Sequence, residues 1–133
     1  MYFYPYQINY VAMDKNLLNK AFDQQYFKEQ YEIFDNETII EIIDMYLTSI
    51  DDYIQDIDAA IAAKDIDTLE AQVHKLKGST SQFTKYKPYE LLVAFLTLSR
   101  FGVLAGADGI FAEIKISLNQ LCVELKEMRK HYK

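Results

Sequence analysis

One histidine in this sequence lies beside a cation and a glycine at spacings that could support group transfer. His74 is followed by Lys77 three residues later and by Gly78 four residues later, and on a helix such positions are neighbours on one face. A neutral imidazole has one nitrogen with a free lone pair, which can attack a phosphoryl group. Because phosphoryl transfer depends mainly on positioning and electrostatics, a nearby ammonium group is the compensation such a step needs.

The helix that would carry this histidine is predicted from an apolar face. The members of that face recur at spacings of four and three residues: Leu69, Val73, Leu76, Thr80 and Phe83. The outer face then holds Glu70, His74, Lys77, Gly78 and Ser81. A glycine inside a helix costs about 1 kcal/mol relative to alanine. Gly78 therefore indicates that an open approach to His74 matters more than local helix stability.

Residues 74–80 read His-Lys-Leu-Lys-Gly-Ser-Thr, which resembles the signature of histidine-containing phosphotransfer (HPt) domains of two-component phosphorelays. The resemblance implies that His74 accepts and donates a phosphoryl group, with Lys77 and Gly78 in support. It implies response-regulator receiver domains or hybrid histidine kinases as partners. No cofactor is expected in this chain, because the Mg²⁺ of the reaction is expected in the partner receiver domain.

A basic residue on the following helix is a second point of resemblance, because members of the family often place one near the phosphohistidine. Arg100 has this position in chain order, which gives it a supporting role, but a cap at the C-terminal end of its own helix is an equal alternative. Two departures stand out. Thr84 replaces the small residue usual ten positions after the histidine, and the following helix lacks the usual polar residue. An apolar rim with Phe95 or Leu96 exposed could dock a partner instead.

Four long amphipathic helices are predicted around this motif, over residues 36–63, 67–86, 88–101 and 109–133. Asn36 is expected to cap the first of them, and Asp67 with Glu70 is expected to form a capping box at the second. Short connections favour an all-α fold, an antiparallel up-down four-helix bundle. Residues 14–34 are read as one helix or two short ones, which by the resemblance give a short N-terminal covering helix.

The totals fit one helical domain. The 133 residues include only four glycines and two prolines, and half of all residues are apolar. We assign residues 14–133 to the domain and residues 1–13, which are rich in tyrosine, to an irregular N-terminal arm. The net charge of −6 argues against non-specific binding of nucleic acid, which needs clustered lysine and arginine.

Other function classes are disfavoured by what the sequence lacks. No glycine-rich phosphate loop is present, so the chain is not expected to have kinase or ATPase activity of its own. Glu70 and His74 could share a metal, but the other histidine, His131, is far along the chain, and a site needs three or four ligands. The single cysteine, Cys122, excludes an internal disulfide and favours a reducing compartment, so a cytoplasmic location is expected.

No membrane association is expected, because the longest stretch that is apolar apart from one threonine, residues 91–98, is too short to span a bilayer. A monomer is expected, since a carrier must present His74 to successive partners. A docking module of the same fold whose histidine is not phosphorylated remains the alternative function, and a metal-assisted enzyme is a weaker third.

Overall fold

The computed structural model of the protein describes residues 21–132. They form five α-helices and a final 3₁₀ turn: α1 (Gln24–Tyr31), α2 (Asn36–Ala63), α3 (Ile66–Thr80), α4 (Lys87–Arg100), α5 (Ala107–Arg129) and the turn Lys130–Tyr132. No strand occurs between residues 21 and 132, so the described architecture is all-α. The predicted arm, residues 1–13, and residues 14–20 of the predicted leading helix lie outside the described residues.

The apolar faces predicted from periodicity are the faces that are buried. On α3 the buried residues are Leu69, Val73, Leu76 and Thr80. On α5 they include Phe111, Ile114, Leu118, Leu121, Leu125 and Met128. Apart from Thr80, which is polar, these side chains belong to one continuous apolar core. Because removing apolar surface from water is the main favourable term in folding, this core fixes which face each helix turns outward.

Contacts between α2 and α5 show that these two helices run in opposite directions. Arg129, at the end of α5, donates from Nε to Asp44 Oδ1 near the start of α2 over 2.7 Å. Lys115, earlier in α5, donates from Nζ to Asp58 near the end of α2 over 3.3 Å. The hydrogen bonds from Arg129 lower the pKa of the Asp44 carboxyl group below its usual value.

Side chains also connect α2 to α3 and α4 to α5. Tyr46 near the start of α2 shares a buried hydrogen bond of 2.9 Å with Thr80 at the end of α3. Phe95 in the second half of α4 stacks on Phe111 in the first half of α5, with ring centroids 5.8 Å apart. Each of α2 and α4 packs against both α3 and α5. The helix that carries His74 therefore has a packed neighbour on either side.

Two helix starts differ from the predicted caps. Asp35, not Asn36, caps α2 by accepting from the Thr38 amide over 2.8 Å. Asp65 caps α3 by accepting from the amide and the hydroxyl of Thr68 over 3.2 and 2.6 Å, so the predicted box of residues 67 and 70 is wrong. The reason is the turn before α3, where Lys64 adopts a left-handed conformation with φ 55°. That single residue reverses the chain, so the helix can begin directly after Asp65.

The connection between α3 and α4 is longer than predicted. The helix ends at Thr80, whereas the periodicity placed its end near residue 86. Thr84 lies in the connection, fully buried, and its hydroxyl accepts from the Tyr86 amide over 2.9 Å. The residue that departs from the family pattern is therefore a turn residue here. Further on, α5 begins at Ala107, two residues before the predicted start.

Helix α1 packs beside this connection. Phe27 of α1 is fully buried and stacks on Phe83, with ring centroids 5.7 Å apart. It also contacts Tyr132 of the final turn edge-on at 6.3 Å. The hydroxyl of Tyr26 donates to the Ser81 carbonyl over 2.9 Å. These contacts join α1 to the C-terminal end of α3, two turns beyond His74.

Candidate functional site

His74 lies on the outer face of α3, near the middle of the helix, and its side chain is exposed. Val73 and Leu76 on either side of it are fully buried, so the core fixes the orientation of the helix that displays it. Among residues 21–132 the imidazole has no hydrogen-bond or ion-pair partner. A reactant in solution can therefore reach the ring without displacing a protein group.

Lys77 follows one turn later, in the last turn of α3. Its side chain is half-buried, and no carboxylate in the described part of the chain pairs with its ammonium group. Because helical side chains lean toward the N-terminus of their helix, this side chain leans toward His74. An unpaired ammonium at this spacing can bind the oxygens of a phosphoryl group on the imidazole.

Gly78 is not required by packing. A Cβ atom built on it would meet no atom within 4 Å, and its backbone is helical, so an alanine would fit. The Ser81 hydroxyl donates a hydrogen bond of 2.6 Å to the Gly78 carbonyl, which the backbone of any residue at this position could accept. The space beside the glycine is open, as the interpretation of an unhindered approach to His74 requires.

Arg100, the last residue of α4, reaches across to α3. Its Nε atom lies 3.2 Å from Oε1 of Glu70, and the two side chains are 53% and 40% exposed. Glu70 lies one turn before His74 on the same face. The structure thus brings Arg100 to the part of α3 that carries His74. This is the one hydrogen bond of the Arg100 side chain within the described residues, and it does not go to a carbonyl of its own helix end.

The predicted apolar rim is wrong. Phe95 and Leu96 are only 0% and 2% exposed, because α4 packs against α3 on one side and α5 on the other and turns both residues inward. Thr97 is half-buried, and its hydroxyl donates to the Val93 carbonyl of its own helix over 3.0 Å. The exposed large apolar residues of this region are Phe101, directly after Arg100, and Val103, neither of which the helical periodicity singled out.

Sequence reasoning also missed the role of Glu70. It was considered as a metal ligand, whereas it is the carboxylate that Arg100 binds. Between residues 21 and 132 no group of three or more histidine, cysteine, aspartate or glutamate side chains could hold a metal ion. Glu70 and Arg100 are thirty positions apart in the chain, so no local sequence pattern predicts their ion pair. The sequence indicates only that residues 70 and 74 share a helical face.

Two other features of residues 21–132 bear on the site. None of their helices is both long enough and apolar enough to cross a bilayer. A cavity of about 510 Å³ lies between α1 and α5, with Phe22, Tyr86 and Met128 among its lining residues, and no residue of α3 lines it. Because His74 is exposed, the chemistry available there is that of an exposed surface.

Comparisons with known proteins bear on the family and the fold of this chain. Residues 41–124 match the family model of the Hpt domain, and this range includes His74, Lys77, Gly78 and Arg100. No curated protein matches the chain. Among solved structures, the chain is similar to histidine-containing phosphotransfer protein B (HptB) from Pseudomonas aeruginosa PAO1. The TM-score is 0.78 at 17% identity, over 86% of this chain and 99% of that one.

At that identity the structural likeness shows the fold alone, whereas the family match spans more than half of the sequence. The family match and the all-helical fold point in the same direction as the motif around His74. The chain belongs to the Hpt domain family, the histidine-containing phosphotransfer domains.

Proposed function

We propose that this protein is a phosphocarrier of a two-component phosphorelay, in which His74 takes a phosphoryl group from one receiver-domain aspartate and passes it to another. The observation that carries the proposal is the exposed imidazole without a partner on a helix held rigidly by the core. Membership of the Hpt domain family supports it.

The proposed step forms one bond and breaks one. The unprotonated ring nitrogen of His74 attacks the phosphorus of an aspartyl phosphate, the P–O bond to the aspartate breaks, and the carboxylate leaves with its electron pair. The other ring nitrogen carries a proton, which the product can release to solvent. Lys77 compensates charge on the phosphoryl oxygens, and Arg100 supports it from α4. Such transfer needs positioning and electrostatic stabilisation more than covalent chemistry by the protein.

The scaffold we propose is an antiparallel up-down four-helix bundle made by α2 to α5, with α1 covering one end. The opposed directions of contacting helices support this arrangement, since residue numbers rise along α2 where they fall along α5. The packing of α2 and α4 against the same two neighbours also supports it. In such a bundle helix α3 is held by its packed neighbours, so a partner protein that binds there meets His74 in one orientation.

The partners we propose are receiver domains, alone or as part of a hybrid histidine kinase. Lys75 and Lys77 lie on α3 beside His74, and Arg100 reaches the same helix, in a chain whose net charge is −6. This local positive charge suits the acidic, magnesium-binding site of a receiver domain and would steer its approach. We propose a cytoplasmic monomer that lacks kinase and ATPase activity and does not bind nucleic acid.

The test is transfer from a phosphorylated receiver domain in the presence of Mg²⁺. We expect an acid-labile label on the wild-type chain and none on His74→Gln. His131→Gln is the matched control, because His131 is the other histidine and is also exposed; it should be labelled like the wild type. A wild-type chain that stays unlabelled with every receiver domain of its own genome would refute the proposal, as would label that persists on His74→Gln.

The alternative of a docking module without phosphorylation has lost the surface on which it depended. Phe95 and Leu96, which were expected to form its rim, are buried in the core. No other observation favours it over the carrier, so we propose the carrier alone.

A further inference from the structure

A carboxylate stands beside the proposed phosphoryl site. Glu70 lies four residues before His74, and at this spacing side chains on a helix are neighbours. Because helical side chains lean toward the N-terminus, the His74 ring leans toward the turn that carries Glu70. A phosphoryl group on His74 bears about two negative charges at neutral pH, so an unpaired Glu70 would repel it.

Arg100 neutralises this carboxylate in the unloaded protein. The bond from Nε to Glu70 Oε1 is 3.2 Å long, with both side chains about half exposed to solvent. Exposed ion pairs of this kind are weak and easily exchanged. A phosphoryl dianion offers more charge and more acceptor oxygens than a carboxylate, and a guanidinium group binds such oxygens with two parallel hydrogen bonds. One helical turn separates the two possible acceptors, which is within the reach of a flexible arginine side chain.

We infer that Glu70 competes with the phosphoryl group for Arg100, and that Arg100 changes partner when His74 is loaded. This inference rests on the phosphocarrier function proposed above. Glu70 is then a positioning residue that acts through Arg100: it keeps the guanidinium at the site in the unloaded state. Once released, its carboxylate lies one turn from the dianion and makes the loaded state less stable. This electrostatic repulsion favours transfer of the phosphoryl group to the next partner, which a carrier requires.

A second ion pair in the chain provides a matched control. Lys115 on α5 and Asp58 on α2 also bridge two helices, over 3.3 Å, with side chains 40% and 49% exposed. Neither residue lies on α3 or α4. Asp58→Asn therefore removes one carboxylate from an equivalent surface pair without touching the face that carries His74, and it measures the effect of a change in net charge alone.

The test does not need a protein partner. Potassium phosphoramidate can load an exposed imidazole: the ring nitrogen attacks phosphorus, the P–N bond of the reagent breaks, and ammonia leaves and takes up the proton released by the ring. Label on His131 is subtracted with His74→Gln. The readouts are the rate of loading of His74 and, by ¹⁵N NMR, the Nε–H signal of Arg100 before and after loading.

At low ionic strength we expect Glu70→Gln to load about two- to fivefold faster than the wild type, the size of one solvent-screened pair involving a multiply charged group. Arg100→Gln should load slower by a similar factor, and Asp58→Asn should match the wild type. When Arg100→Gln is already present, adding Glu70→Gln should change the loading rate by a different factor than Glu70→Gln does alone, since the two residues are coupled. At 1 M salt the differences in loading rate between these variants and the wild type should largely vanish, because the Debye length is then about 3 Å.

In the wild type the Arg100 Nε–H signal should shift when His74 is loaded. In unloaded Glu70→Gln the same signal should already differ from that of the unloaded wild type. An Arg100 signal unmoved by loading would overturn the inference, and so would a Glu70→Gln rate equal to that of Asp58→Asn. Failure to load His74 while His131 is loaded would also overturn it. The proposed function fails separately: a chain that shows the arginine exchange but takes no phosphoryl group from receiver domains would retain this inference and lose the relay.

Discussion

Substitution of Gly78 separates helix stability from access to His74. A Cβ atom at this position meets nothing within 4 Å, so Gly78→Ala removes the backbone-entropy cost of glycine without creating a clash. That cost is about 1 kcal/mol inside a helix. With a urea m-value of about 2 kcal/mol/M for a small domain, the unfolding midpoint should rise by about 0.5 M. Circular dichroism in a urea titration measures this directly.

A longer side chain at the same position should act on function. In Gly78→Gln the side chain leans over the preceding turn, toward His74, and stands where a phosphoryl donor must approach. We expect about a tenfold or greater loss in the rate of transfer from a phosphorylated receiver domain, with stability still above that of the wild type. Ala112→Gln, an exposed position inside α5, is the control for an added glutamine side chain and should transfer normally.

Two results would refute this reasoning. A lower urea midpoint for Gly78→Ala would mean that the glycine is needed by the fold. Wild-type transfer by Gly78→Gln would mean that the space beside the glycine is not used by the donor.

Three further predictions concern the scaffold. Lys64 has φ 55°, a left-handed conformation that costs a residue with a Cβ about 1 kcal/mol, so Lys64→Gly should raise the free energy of unfolding by about that amount in a urea titration. Phe27→Ala empties a fully buried site and should cost about 3–5 kcal/mol by the same assay; a smaller loss than about 1 kcal/mol would show that α1 is not part of the cooperative unit. The Arg129 hydrogen bonds lower the pKa of Asp44, so their stabilisation is present above the ordinary aspartate pKa and is lost as pH falls through the lower folded value. Arg129→Gln should therefore weaken the pH dependence of the urea midpoint between about pH 5 and pH 2, and an unchanged dependence would contradict that assignment.

The faces of the helices could be predicted because burial follows a local period. The residues that recur every three or four positions along α3 and α5 are the ones in the core, and any sequence that buries one stripe of a helix must show that pattern. The exposure of His74 follows from the same argument, since it lies about a hundred degrees from Val73 around the helix.

The ends of the helices could be predicted less well than their buried faces. An end depends on the geometry of the turn beside it, and two nearby residues can be equally good caps. Asp35 and Asn36 are both good caps, as are Asp65 and Asp67. The left-handed conformation of Lys64 decides the second case, and lysine gives no sign of it in the sequence.

The two features of the site that sequence reasoning missed are both tertiary. Phe95 and Leu96 are buried because α4 has packed neighbours on two sides, a fact that the period of one helix does not contain. The bond between Arg100 and Glu70 joins the last residue of α4 to the second turn of α3, so neither residue carries a local sign of the other.

The most direct measurement is to locate the phosphoryl group on the chain after transfer. The protein is incubated with a phosphorylated receiver domain and Mg²⁺, and the modified residue is identified by tandem mass spectrometry at neutral to alkaline pH, where the N–P bond survives. We expect phosphorylation at His74 that is acid-labile and that returns to an unphosphorylated receiver domain on mixing. Modification at another residue, or a label on His74 that cannot be passed on, would contradict it.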